Sequence, residues 1–323
     1  MNYLYISPSP SGWDNLALDE YFLDHLTEDD FLLYFYVNAN AIIIGRNQNP
    51  WVECKLAEME KDGVQLVRRI TGGGAVFHDS GNLNFSFIAG EKHYNVEKQL
   101  NLILNALRHI GIPCEFSGRN DLLSGGRKFS GNAFCTRKNI RQHHGTLLVN
   151  ADLTRLNNYL SVDPRKLQAK GVKSVRSRVC NLSEIKEDLT ADILLEALKA
   201  AYRENYGEYR VISDGDIDAA SLKTYIDKQK SEAWRLGNTP RFDAEIENRF
   251  AWGNVQIQLT LKNGIVERAQ VYSDAIDAEL ASEIQALLAG AQFGAKSLAN
   301  RLMMFTRKEQ IREVAGYIAG LEI

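Results

Sequence analysis

Disulfide and zinc frameworks are missing from this chain: its four cysteines, at positions 54, 114, 135 and 180, include no Cys-x-x-Cys pair. They read as reduced thiols of a cytoplasmic protein. No apolar run approaches membrane-spanning length, and the longest aliphatic cluster, residues 41–44, is sized for a buried strand. Residues 1–5 lack a cationic segment followed by an apolar stretch, so no signal peptide is expected. Excess charge of either sign is absent as well. Lys and Arg number 38 against 41 Asp and Glu, a formal net charge of −3, which argues against nucleic-acid binding as the main task. No Gly-x-Ser-x-Gly nucleophile elbow occurs. What is present is an ordinary globular composition, 45% hydrophobic and 24% charged. The 323 residues exceed one typical core and suit one large domain plus a smaller one.

The most informative segment is Arg68-Arg69-Ile70-Thr71-Gly72-Gly73-Gly74-Ala75-Val76-Phe77. Glycine admits backbone angles closed to other residues, so the triple turns a connection into a concave row of N–H donors. Such a nest suits a phosphate or carboxylate, and the arginines add charge-assisted donors. Residues 64–67 read as a strand entering the turn and 75–77 as extended chain leaving it. In residues 82–88, Leu83, Phe85 and Phe87 alternate with Asn82, Asn84 and Ser86, which predicts a half-buried strand. Two common phosphate motifs fail here. Phe77 stands where a dinucleotide fold needs its third small residue, and Lys128 does not directly follow a glycine as the Walker lysine must.

Spacings of three and four predict helices through Trp13–Asp24, Val96–Ile110 and from about Thr190 to Tyr206, with a short one at residues 55–61 closed by Gly63. Residues 31–37, 41–44, 114–123, 128–135 and 146–149 read as strands. Residues 211–240 are polar and mixed. Beyond them, residues 250–261 and 264–272 predict a hairpin around Lys262-Asn263, and residues 277–288 and 307–321 predict helices. The expected architecture is a mixed α/β (α+β) catalytic domain over residues 1–242, a linker near 240–248, and a small α+β accessory domain over 248–323.

Two further basic segments stand out. In Gly126-Arg127-Lys128-Phe129-Ser130-Gly131-Asn132-Ala133, strand alternation places Lys128, Ser130 and Asn132 on one face and Phe129 and Ala133 on the other. In Lys170-Gly171-Val172-Lys173-Ser174-Val175-Arg176-Ser177-Arg178, four cations alternate with small residues and valines. Each alone suits a solvated strand or loop. Three together suit a polyphosphate or two anions that meet. His143 and His144, adjacent on a strand, face opposite ways and cannot both reach one metal ion without distortion.

These segments, together with Trp13-Asp14-Asn15-Leu16-Ala17, Ile44-Gly45-Arg46-Asn47-Gln48-Asn49-Pro50-Trp51, Gly118-Arg119-Asn120-Asp121-Leu122 and His143-His144-Gly145-Thr146-Leu147-Leu148, resemble the lipoate–protein ligase A family over nearly the whole chain. The resemblance implies the fold shared by biotin- and lipoate-attaching enzymes. It also implies a reaction in which lipoate and ATP give lipoyl-AMP and diphosphate, after which an acceptor lysine displaces AMP. Lys128 would then be catalytic and would contact both ATP and lipoate. Arg69 with Gly74, Ala75, Val76 and Phe77 would hold ATP, and Thr71, Gly72 and Gly73 would hold lipoate, Val76 and Phe77 also walling the acyl tail. Residues 170–178 would close over the adenylate, and Asp121 would bind magnesium. The implied acceptors are lipoyl domains of 2-oxoacid dehydrogenase E2 subunits and the glycine cleavage H protein, met by a cytoplasmic monomer without nucleic acid or membrane. One departure is Cys135, where the family often carries a basic residue. A transferase of the same fold, working through a thioester on Cys180, is the alternative; a biotin ligase-repressor is disfavoured because no helix-turn-helix precedes the core.

Overall fold

The computed structural model describes residues 1–117, 121–161, 179–237 and 242–323. Its strands are β1 Asn2–Ile6, β2 Phe31–Val37, β3 Asn40–Ile44, β4 Gln65–Arg68, β5 Val76–Asp79, β6 Asn82–Gly90, β7 Glu115–Ser117, β8 Asp121–Ser124, β9 Arg127–Arg137, β10 Ile140–Leu148, β11 Arg210–Val211, β12 Ala244–Phe250, β13 Gly253–Lys262 and β14 Ile265–Ser273. Contacts divide the chain into two units. The first holds Met1–Ile43, Trp51–Arg68 and Val76–Arg235; the second holds Ile44–Pro50, Arg69–Ala75 and Leu236–Ile323.

The first unit is built on an eight-stranded sheet in the order β11-β1-β2-β6-β10-β9-β8-β7. It is mixed: β1 runs parallel to β2 and β11, and the remaining neighbours are antiparallel. A parallel pair needs a crossover, and the helix Gly12–His25 supplies it, capped by the Ser11 hydroxyl. The helices Val96–His109 and Ala191–Tyr206 contribute Leu100, Ile103, Leu107, Leu194, Leu198 and Tyr202 to one core with Leu33, Phe35, Phe85 and Phe87 of the sheet. Both start where the sequence places them, at Asn95 and Thr190, whose side chains accept from the third residue onward. A second, three-stranded sheet has the order β4-β3-β5.

Strand β6 departs from expectation. All nine of its residues are buried, so it is not half-buried. The polar side covers itself: Asn82 donates to Asn84, Asn84 donates to the Tyr36 carbonyl, and Gln142 donates to Ser86. Alternation predicts burial on one face only where the polar residues reach water; here they reach each other. The polar segment 211–240 also hides a helix, Ala219–Lys230. It packs on Gly12–His25 through the ion pair of Lys228 with the buried Glu20 and through the Tyr225 ring, edge-on to Tyr21.

The second unit has an antiparallel sheet β12-β13-β14 and the helices Leu280–Leu288, Ala295–Phe305 and Glu309–Ala319 around a core that includes Ile257, Leu259, Val271, Ile284, Leu298, Leu302, Ile311 and Val314. The hairpin turns on Asn263 and Gly264, both with positive φ (53° and 75°), the two-residue turn that matches strand twist. Strand β12 occupies most of the stretch expected to be linker, and the helix Ala295–Phe305 is a further unexpected element. No helix among the described residues is long and apolar enough to cross a membrane.

Candidate functional site

The lysine hairpin belongs to the first unit. Gly125 and Gly126, both at positive φ (55° and 74°), turn β8 into β9. The pairing then runs Ser124 with Arg127 and Leu123 with Lys128, but next Leu122 with Ser130 and Asp121 with Gly131. Phe129 is therefore an extra residue, a β-bulge, and the bulge reverses the side-chain parity expected from strict alternation. Lys128 does not share a face with Ser130 and Asn132. Its ammonium lies 2.7 Å from the Asp121 carboxylate, over Gly131, while Asn132 turns to the buried ring of His143, 2.9 Å away. A Cβ on Gly131 would sit 3.0 Å from Lys128 Nζ and 3.1 Å from Cε. Glycine at 131 thus lets the lysine lie across the strand, a role that sequence reading did not assign.

Asp121, expected to bind magnesium, faces the Lys128 ammonium with its carboxylate. It is the partner of Lys128. The two adjacent histidines do point apart. His143 sits among Phe85, Phe87 and Phe134, with its ring nitrogens 2.9 Å from Gln99 and Asn132, and burial pushes it down to about 3. His144 lies 3.3 Å from the buried Asp19.

The glycine triple belongs to the second unit, except that Val76 and Phe77 already lie on β5 of the first. The three glycines differ. A Cβ on Gly72 would fall 2.2 Å from the Ile276 carbonyl oxygen and 2.4 Å from that of Ala275. Gly73 has φ +93°, and its N–H donates to the Ala275 carbonyl at 2.7 Å, so one donor of the expected nest has a protein partner. Gly74 has nothing near its Cβ position and is exposed, as is Val76. The Arg69 guanidinium is buried and braces the loop from below, donating to the carbonyls of Gly72 (2.7 Å) and Gly74 (2.8 Å). Thr71 is buried, and its carbonyl accepts from Arg46 N–H. Gly45 completes the packing: a Cβ there would meet the Gly73 oxygen at 2.0 Å. Phe77 stacks on Tyr159, with Arg155 4.8 Å from its ring centre. The expected adenylate segment, residues 170–178, and Gly118-Arg119-Asn120 lie outside the described residues.

Cys180 is fully buried, and its N–H donates to the Lys128 carbonyl at 2.9 Å. Burial pushes its thiol up, the wrong direction for a nucleophile. Cys135 donates to Gln142 at 3.3 Å.

Residues 11–203 match the family model of the lipoyl protein ligase A/B catalytic domain, and residues 239–316 match that of the bacterial lipoate protein ligase C-terminus. A lipoate-protein ligase A of Psychrobacter cryohalolentis is 38% identical over 95% of both chains. Among solved structures, P. falciparum LipL1 in complex with lipoate superposes with a TM-score of 0.87 at 28% identity, covering 99% of this chain and all of that one. A lipoate-protein ligase A bound with ATP gives a TM-score of 0.62 at 27% identity over 73% of this chain and 98% of that one. By its catalytic and C-terminal segments and its relative over nearly the whole length, the chain belongs to the lipoyl protein ligase A/B family.

Proposed function

We propose that the protein attaches free lipoate to a lysine of lipoyl domains, in 2-oxoacid dehydrogenase E2 subunits and the glycine cleavage H protein, through a lipoyl-AMP intermediate formed from ATP. The observation that carries this reading is the ammonium of Lys128, held across Gly131 by Asp121. Adenylation brings a carboxylate against an α-phosphate, two anions that repel; a fixed ammonium offsets that repulsion and stabilises charge gathering in the transition state. Asp121 orients it. The segment from Gly74 through Phe77 takes the nucleotide, Arg69 acts through the loop it braces, and Thr71, Gly72 and Gly73 form the lipoate side of that loop. The basic segment 170–178 serves the adenylate, keeping the mixed anhydride from water. The acceptor amine is the second-step nucleophile, so no enzyme thiol is needed, in keeping with the buried Cys180.

The lipoate-bound and ATP-bound structures of its relatives support the two substrates. The test is mass spectrometry of a lipoyl domain incubated with the protein, lipoate, ATP and magnesium, alongside diphosphate release without acceptor. A lipoyl mass shift that requires ATP is expected. Transfer without ATP, or a stable acyl adduct on Cys180, would assign the transferase route instead.

A further inference from the structure

The helix Ala295–Phe305 runs past the core it helps to build. Ala295, Leu298, Ala299 and Leu302 form its buried stripe. Phe305, seven residues after Leu298, continues that stripe by helical geometry. Yet Phe305 is 61% exposed, and Met303 and Met304 beside it are 52% and 75% exposed. Elsewhere among the described residues, large exposed apolar side chains come singly, apart from the pair Trp51 and Val52. Scattered exposure is ordinary, but three consecutive side chains make a patch.

Cations outnumber carboxylates along this stretch of chain. No Asp or Glu lies between Glu283 and Glu309, while Lys296, Arg301, Arg307 and Lys308 do. Lys308 is committed to Asp277 and Glu283. The other three have no carboxylate partner among the described residues. Arg301 is also held in place: its Nε donates to the Leu287 carbonyl at 3.1 Å, and its guanidinium lies 5.4 Å from the Phe305 ring centre. A guanidinium fixed on an aromatic ring presents its remaining donors at little entropic cost, and such donors match carboxylates. Methionine adapts its shape to a partner's surface.

From this we infer that the Met303–Phe305 tip with Lys296, Arg301 and Arg307 is the docking surface for the acceptor protein, which meets it with carboxylates around a small apolar spot. The inference rests on the proposed function, because a ligase that modifies a folded protein needs a surface that binds protein as well as one that binds lipoate. A protein partner is favoured over an anionic membrane because only three cations are left without a carboxylate partner among the described residues, fewer than the roughly four to eight clustered Lys/Arg that mark a lipid-binding segment.

The experiment compares the full chain with Met304→Ser/Phe305→Ser and with Lys296→Glu/Arg307→Glu. Binding of a fluorescent apo-lipoyl domain is read by polarisation at low and high salt, next to diphosphate release without acceptor. Both variants should release diphosphate at the wild-type rate but bind the domain about tenfold more weakly. The charge variant should also lose most of the salt dependence. Unchanged binding by both variants overturns the inference. So does patch-dependent sedimentation with phosphatidylserine vesicles, or patch-dependent self-association in the ultracentrifuge, if domain binding is unaltered. If diphosphate release fails in the wild type while patch-dependent binding holds, the proposed reaction falls and the docking surface stands.

Discussion

In the glycine loop at residues 69–75 the tight places are backbone against backbone. Gly72 meets the carbonyls of Ala275 and Ile276, Gly45 meets the Gly73 oxygen, and Arg69 ties two loop carbonyls together. In the lysine hairpin at residues 121–137 the tight place is a side chain on a strand: the flexible end of Lys128 over Gly131, steered by Asp121. The first region is a rigid shape with one open glycine, Gly74. The second is a charge at the end of a side chain, positioned over a strand. Changes in the loop should therefore act on stability and activity together, whereas changes in the hairpin should act on activity alone.

The sharpest contrast comes from Lys128→Ala. It should lower diphosphate release about 10³-fold, the scale of removing one preorganised electrostatic group. Its melting temperature should stay within about 2 °C of wild type, since a partly exposed ion pair adds little stability. A rate within a few-fold of wild type would remove Lys128 from the chemistry. Gly72→Ala should do the reverse. Backbone carbonyls cannot yield as a lysine tip can, so a loss of about 2 kcal/mol in urea unfolding is expected, with a fall in activity. Gly74→Ala, with open space at its Cβ, should change stability by less than about 0.5 kcal/mol. Equal losses at the two glycines would mean that the loop is not held as described.

Gly131→Ala should displace the ammonium by a few tenths of an ångström and slow diphosphate release about tenfold, with unfolding unchanged. A smaller effect concerns acid. His143 is buried and its folded value lies near 3, below the ordinary 6.5, so the unfolded chain takes up a proton that the folded chain refuses between those limits. Stability from this group is full above about pH 6.5 and should fall by about 1.4 kcal/mol per pH unit below it. Urea titrations at pH 7 and pH 5 would show this slope, and His143→Gln should flatten it. The smallest effect should be that of Cys180→Ser, which keeps ligase activity within about threefold because no enzyme thiol takes part. Loss of transfer with adenylation intact would reopen the thioester route.

Much of the fold was legible locally. Asn95 and Thr190 cap the helices that their spacing predicts, and the hairpin expected around Lys262-Asn263 turns one residue later, on Asn263-Gly264. What was missed shares one cause. The helix Ala219–Lys230 is held by an ion pair with Glu20, two hundred residues away in order, and leaves only a weak periodic trace. Alternation marks strand β6 as half-buried, but its polar residues Asn82, Asn84 and Ser86 find partners on β6 itself, β2 and β10. In the site, alternation misplaced Lys128 because a bulge has no signature in residue type. It follows from how β8 and β9 register over Gly125 and Gly126.

The sequence by itself marked the candidates for chemistry, one lysine strand and one glycine triple with its arginines, since residue type and short spacing are local properties. Tertiary structure alone decided that Lys128 pairs with Asp121 across Gly131, and that Arg69 turns inward to brace the loop. It also decided that only Gly74 of the three glycines has open space at its Cβ position, and that Cys180 is buried. Each of these depends on distances between segments far apart in the chain, which are set by strand register and packing rather than by any residue's own preference.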